Sequence, residues 1–178
     1  MTTEEYLNTP ETKQPTELIY GSLRVADSPM PQHQAAVGDF FLALASHVDE
    51  NQLGRVWLSP LDIILDAPKA LVLQPDLFFV SNERSYILTD RMRGAPNMVL
   101  EVLSPHPRIG QLDERISWFA AYGVDECWLL HQFERRLEVL RLAGRAVTSR
   151  RSFGARTPVE SSVLPGFKRS VDSILKWA

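Results

Sequence analysis

Two strand-length apolar runs each carry a carboxylate, and this pairing limits the folds open to the chain more than any other feature. Gln74-Pro75-Asp76-Leu77-Phe78-Phe79-Val80 and Asn97-Met98-Val99-Leu100-Glu101-Val102-Leu103 are too short for helices and too continuously apolar for strands with one wet face. They predict two strands inside a sheet that is covered on both sides. An ionised acid without a partner is strongly disfavoured there. Asp76 and Glu101 therefore either converge on a cation that cancels their repulsion, or lie at strand ends, exposed or paired separately with arginines. A divalent ion such as Mg²⁺ suits the first alternative. It takes oxygen ligands and keeps part of its water shell, and it can activate water and stabilise charge on a phosphate.

The remaining pattern predicts what covers the sheet. Thr2 followed by Glu5 is a capping-box signal for a short helix over 2–7. Residues 17–25 read as a hairpin turning near Gly21. From Pro31 to about Gln52, Val37, Phe40, Phe41, Leu44, Ala45 and Val48 recur at helical spacing, with Pro31 suited to the first turn. Residues 55–58 and 62–65 read as strands separated by Ser59-Pro60. A helix over 109–122 ends at Gly123 and leads into a strand over 127–130. A hairpin over 136–147 turns at Ala143-Gly144, and a short helix closes the chain over 171–177. With no repeat and no linker, residues 1–178 read as one α/β domain: a central mixed sheet flanked by helices, with a peripheral β-hairpin.

Charge is distributed unevenly. The net charge is -3, which argues against a uniformly basic coat. Between Arg135 and Arg156, however, seven arginines face one acid, Glu138. This stretch reads either as a phosphate-facing surface or as an ordinary solvated hairpin in an arginine-rich chain. Cys127 is the single cysteine, so neither an intramolecular disulfide nor a Cys-based zinc site is available. Its neighbours Trp128, Leu129 and Leu130 mark it as a core residue. The longest apolar runs are too short to cross a bilayer and the amino terminus lacks a leader pattern, so no membrane association and a cytoplasmic location are expected.

Several segments carry a family resemblance. Glu17-Leu18-Ile19-Tyr20-Gly21, His33-Gln34, Ser59-Pro60-Leu61-Asp62-Ile63, Gln74-Pro75-Asp76-Leu77, Val99-Leu100-Glu101-Val102-Leu103-Ser104-Pro105 and Gly123-Val124-Asp125-Glu126-Cys127-Trp128 closely resemble, in order and spacing, the motifs of the Uma-type family of restriction-endonuclease-like proteins. The resemblance spans about residues 4–142. That family is assigned to the PD-(D/E)XK nuclease superfamily, which implies a restriction-endonuclease-like fold and metal-dependent hydrolysis of phosphodiester bonds in DNA. Asp76 would supply the Asp of the signature and Glu101 the (D/E), both ligating Mg²⁺ or Mn²⁺.

The signature lysine is missing. Leu103 stands at its usual place, and Arg115 at the place it takes in branches where it has moved to the following helix. An arginine there can steady a phosphate but stays protonated and cannot act as a base. Its other reading is a helix-surface ion pair with Asp113 or Glu114. Gln111 and His131 stand where the family often has aspartates. Asp62, Glu17 and His33 match family positions and form a second tier, either lining the same cleft or making structural hydrogen bonds. His106 receives no role. The alternative function is a nuclease fold without turnover, acting as a nucleic-acid or protein binding module. A homodimer is compatible with either reading.

Overall fold

A computed structural model describes residues 1–10, 14–26, 28–103 and 112–176. Ser104, Pro105, His106, Gln111, the expected helix start near Ile109 and Trp177 lie outside the described residues. Helix α1 (Thr3–Leu7) is closed by the expected capping box, in which Glu5 N donates to Thr2 Oγ1 at 3.1 Å and Thr2 N donates to Glu5 Oε2 at 2.7 Å. Strands β1 (Thr16–Ile19) and β2 (Ser22–Val25) form the first hairpin. Helix α2 (Pro31–Glu50) starts on Pro31 and buries Val37, Phe40, Leu44 and Val48 along one stripe. Strands β3 (Gly54–Leu58), β4 (Ile63–Asp66), β5 (Leu71–Leu73) and β6 (Leu77–Ser81) follow, with a cis Ser59–Pro60 bond between β3 and β4.

A 3₁₀ helix (Asn82–Ile87), β7 (Met92–Arg93), β8 (Met98–Val102), α3 (Leu112–Tyr122) and β9 (Glu126–His131) come next. The chain ends with β10 (Arg136–Ala143), β11 (Ala146–Phe153) and α4 (Val171–Ile174). The sequence reading missed β5, the 3₁₀ helix and β7.

Two sheets form. The larger runs β11-β10-β9-β8-β6-β3 and the smaller β2-β1-β5-β4-β7. In the larger sheet only β8 and β9 are parallel, and α3 lies on the crossover between them. The expected peripheral hairpin, β10–β11, forms one edge of this sheet.

Alternation of side chains along each strand divides the core. Leu77, Phe79, Leu100 and Trp128 face α2 and the segment that carries α4. Phe78, Val80, Val99, Cys127 and Leu129 face the other way, against Ile116 and Phe119 of α3 and Ile19, Ile63, Leu71 and Leu73 of the smaller sheet. The outer face of that sheet is covered by Tyr6 from α1. The layer between the two sheets is where the candidate site lies. No helix among the described residues is long and apolar enough to cross a membrane.

Candidate active site

Asp76 immediately precedes β6 and Glu101 lies within β8. These strands pair antiparallel with Leu77 opposite Leu100, so one step along the ladder Asp76 stands opposite Glu101. Opposed residues share a face of the sheet, and for this pair it is the face of Phe78 and Val99, toward α3. Val102 N donates to Asp76 Oδ2 at 2.8 Å, tying the aspartate to the end of β8. His33, in the first turn of α2, places Nε2 3.3 Å from the same oxygen. Its Nδ1 is buried with no hydrogen-bond partner among the described residues.

Helix α3 supplies the third charged group. Arg115 Nε donates to Glu101 Oε1 at 2.7 Å, and its Nη1 lies 2.7 and 2.8 Å from the two oxygens of Glu17. Glu17 projects from β1 in the smaller sheet and also accepts from Gln74 N at 2.7 Å. The Glu17, Arg115 and Glu101 side chains are only 4%, 12% and 13% exposed. Arg115 is therefore not the surface ion pair with Asp113 or Glu114 that the sequence left open. It is a buried bridge between the layers.

The charges do not balance. Burial pushes the Glu101 carboxyl up to about 7, with the charges of Asp76 and Glu17 adding to the effect and Arg115 opposing it. Burial alone would lower the pKa of His33, but the hydrogen bond and charge of Asp76, followed by the charge of Glu101, hold it above the usual histidine value. Glu101 and Glu17 share the Arg115 guanidinium, while Asp76 is met by His33 and the Val102 amide, so three carboxylates stand against one permanent positive charge. Among the described residues no group of three or more His, Cys, Asp or Glu side chains is arranged to hold a metal. Asp76 Oδ1 and Glu101 Oε2 carry no hydrogen bond from the described residues. Two oxygens from opposed carboxylates match the demand of Mg²⁺, which is held by one or two carboxylates and retains several waters. The donor set fits such an ion.

Of the second tier, Glu17 and His33 join this cluster and Asp62 does not. Asp62 precedes β4 and turns to the outer face, where its Oδ1 accepts from Tyr6 Oη at 2.9 Å and from Gln74 Nε2 at 2.8 Å. Leu103 packs against the apolar layer below α3. Cys127 is fully buried, and burial raises its thiol pKa far above the ordinary value.

Four of the seven arginines between Arg135 and Arg156 are paired with acids of the chain. Arg135 pairs with Asp172, Arg136 with Glu134 and Glu138, Arg150 with Glu138, and Arg151 with Glu160. His131 lies 3.1 Å from Glu138 as well. Counting acids only between Arg135 and Arg156 overlooked Glu134, Glu160 and Asp172, which flank that window and fold back on it.

Sequence reasoning also passed over Glu126, which is 0% exposed at the start of β9. Its oxygens accept from Trp128 Nε1 at 3.0 Å, Ser161 Oγ at 2.7 Å, Ser162 N at 2.7 Å and Ser162 Oγ at 2.5 Å. An acid beside a buried run was the signal that singled out Asp76, and it applies equally here. Glu126 differs in facing the α2 side with its acceptor capacity filled, so it fastens the 161–164 segment to the sheet.

No curated protein matches the chain. Among solved structures, one described as a "putative nuclease belonging to DUF820" from Anabaena variabilis ATCC 29413 superposes with a TM-score of 0.82 at 21% identity, covering 99% of this chain and 98% of that chain. At that identity the likeness establishes the fold. A family model described as "Putative restriction endonuclease" matches residues 3–172, nearly the whole sequence, and the chain accordingly belongs to that family, Uma2.

Proposed function

We propose that the protein is a metal-dependent endonuclease that hydrolyses phosphodiester bonds in DNA. The observation that carries this reading is the placement of Asp76 and Glu101 opposite each other on one face of the sheet, with negative charge in excess of what Arg115 supplies. Mg²⁺ or Mn²⁺ held by these two carboxylates would supply an activated water and charge neutralisation at the phosphate.

The chain's own residues set the geometry. Arg115 fixes the Glu101 carboxylate through Nε, while Glu17 fixes Arg115 through Nη1. The Val102 amide and His33 orient Asp76. Arg115 remains protonated throughout, so it contributes positive charge beside the phosphate and takes no proton from water. The family description and the shared fold support a nuclease.

The test is cleavage of supercoiled plasmid by the purified protein with Mg²⁺ or Mn²⁺. Nicked or linear product is expected from wild type and none from Asp76→Asn or Glu101→Gln. Equal cleavage by all three proteins would remove the assignment. The commitment of Arg115 to two carboxylates favours one second reading, a binding module that holds nucleic acid without cutting it. Carboxylate-dependent Mn²⁺ binding without cleavage of any DNA or RNA substrate would select it.

A further inference from the structure

Tyr20 occupies a backbone conformation that its side chain disfavours. It has φ +48° at the β1–β2 turn, beside Gly21 at φ +86°, where glycine or asparagine is the usual choice. An aromatic residue kept in such a conformation points to a task for its ring. The ring is not buried in compensation, since Tyr20 is 51% exposed. It stands edge-on to Trp118 of α3, with ring centroids 5.9 Å apart. Arg24 of β2 sets its guanidinium over the same indole, 5.9 Å from the centroid. Trp118 is half-buried.

This cluster adjoins the carboxylate centre by two routes. Arg24 is the cross-strand partner of Glu17, and Trp118 lies three residues from Arg115, hence about one turn along the same helix face. A turn further on, Tyr122 carries Lys69 above its ring at 5.9 Å, although Asp66 pairs with that lysine and accepts from the Tyr122 hydroxyl. Aromatic faces interleaved with cations along one track are what a single nucleic-acid strand requires: flat surfaces for its bases and positive charge for its phosphates.

We infer that Tyr20, Trp118 and Arg24 form a stacking subsite for an unpaired nucleobase of the substrate strand, adjacent to the Asp76–Glu101 centre. The inference rests on the proposed nuclease reading and deepens it. The occupant is a base with its flanking phosphate, and every base offers the π face that the cluster would engage, so the subsite selects for unpaired character rather than sequence.

The test measures binding of a fluorescein-labelled oligothymidylate in EDTA, so that metal-dependent cleavage does not intervene. An abasic strand of equal length and a blunt duplex serve as references, and plasmid cleavage is followed in parallel. Wild type should bind oligothymidylate more tightly than the abasic strand. Tyr20→Gly and Trp118→Leu should each weaken that binding about tenfold and erase the preference, leaving abasic-strand and duplex binding unchanged. Tyr20→Gly relieves the backbone strain, so its thermal midpoint should not fall, and it reports on stacking free of misfolding.

Equal wild-type affinity for base-bearing and abasic strands would overturn the subsite. So would undiminished oligothymidylate binding by Tyr20→Gly, or absence of binding to every strand, which would leave the platform to a protein partner. If those results came with plasmid cleavage that still depended on Asp76, the nuclease reading would stand without the subsite. A base preference lost in Tyr20→Gly, with no cleavage by wild type, would keep the subsite and remove the nuclease.

Discussion

Replacing Arg115 with glutamine removes the guanidinium that bridges Glu17 and Glu101 and leaves two carboxylates facing each other across the layer between the sheets. Breaking a buried ion pair by removing one partner costs about 3–5 kcal/mol. Here two acids lose the same partner, and Glu17 is almost fully enclosed, so the loss at pH 8 in EDTA should lie near the upper end of that range. Glu101 can relieve part of it by taking up a proton. Its folded pKa, near 7, already exceeds the ordinary 4.5, so between those values the folded chain binds more protons than the unfolded one. The Glu101 contribution to wild-type stability therefore falls as pH rises from about 4.5 to about 7 and levels off above that. In Arg115→Gln the opposing guanidinium is gone, the carboxyl titrates higher still, and the decline should continue beyond pH 7.

Urea denaturation at pH 5.5 and pH 8 reads both effects. The variant should lose substantially less stability at the lower pH. At pH 8 the thermal midpoint should drop by about 10–20 °C, given about 2–4 °C per kcal/mol for a chain of this size. A loss below about 1 kcal/mol at pH 8, or one that did not change with pH, would show that the buried bridge does not hold the layers as described.

Metal binding should be coupled to proton release, because a cation must displace the proton that Glu101 holds below about pH 7. Titration calorimetry with Mn²⁺ in two buffers of different ionisation heat should show affinity rising with pH up to about 7 and then flattening, and a pH-independent affinity would place the ion elsewhere. Glu126→Ala, which orphans the donors of Trp128, Ser161 and Ser162, should cost about 3 kcal/mol or more and make the 159–167 segment the first site of limited proteolysis. An unaltered cleavage pattern there would deny Glu126 its fastening role.

The long helix, the hairpins and the two acid-bearing strands were legible in the sequence because each writes its period or its turn residues locally. Pro31 opens α2, the apolar stripe from Val37 to Val48 runs its length, and Asp76 and Glu101 interrupt runs that otherwise read as fully covered. Strand β5 was missed because Leu71-Val72-Leu73 is only three residues long and runs directly into the Gln74-Pro75 breaker. The partners of Arg115 were illegible for another reason: Glu17 lies 98 residues away along the chain, and only docking of α3 between the sheets brings them together. Asp62 matches a family position, but it lies two residues before Ile64 and shares that residue's outward face, where Tyr6 and Gln74 engage it. The acid-in-apolar-run signal located Asp76, Glu101 and Glu126 alike, yet only the surrounding hydrogen bonds separate two acids with spare oxygens from one whose oxygens are filled.

The Glu17–Arg115–Glu101 bridge draws one residue from the beginning of the chain, one from its middle and one from beyond residue 111. Without α3 in place neither carboxylate has the guanidinium, and Glu17 keeps only the Gln74 amide. Either sheet folded alone would position one of the two carboxylates and not the other, since Glu17 lies on β1 and Glu101 on β8. Completion of the centre thus coincides with closure of the two layers, which makes the state of this bridge a readout of whether folding has finished.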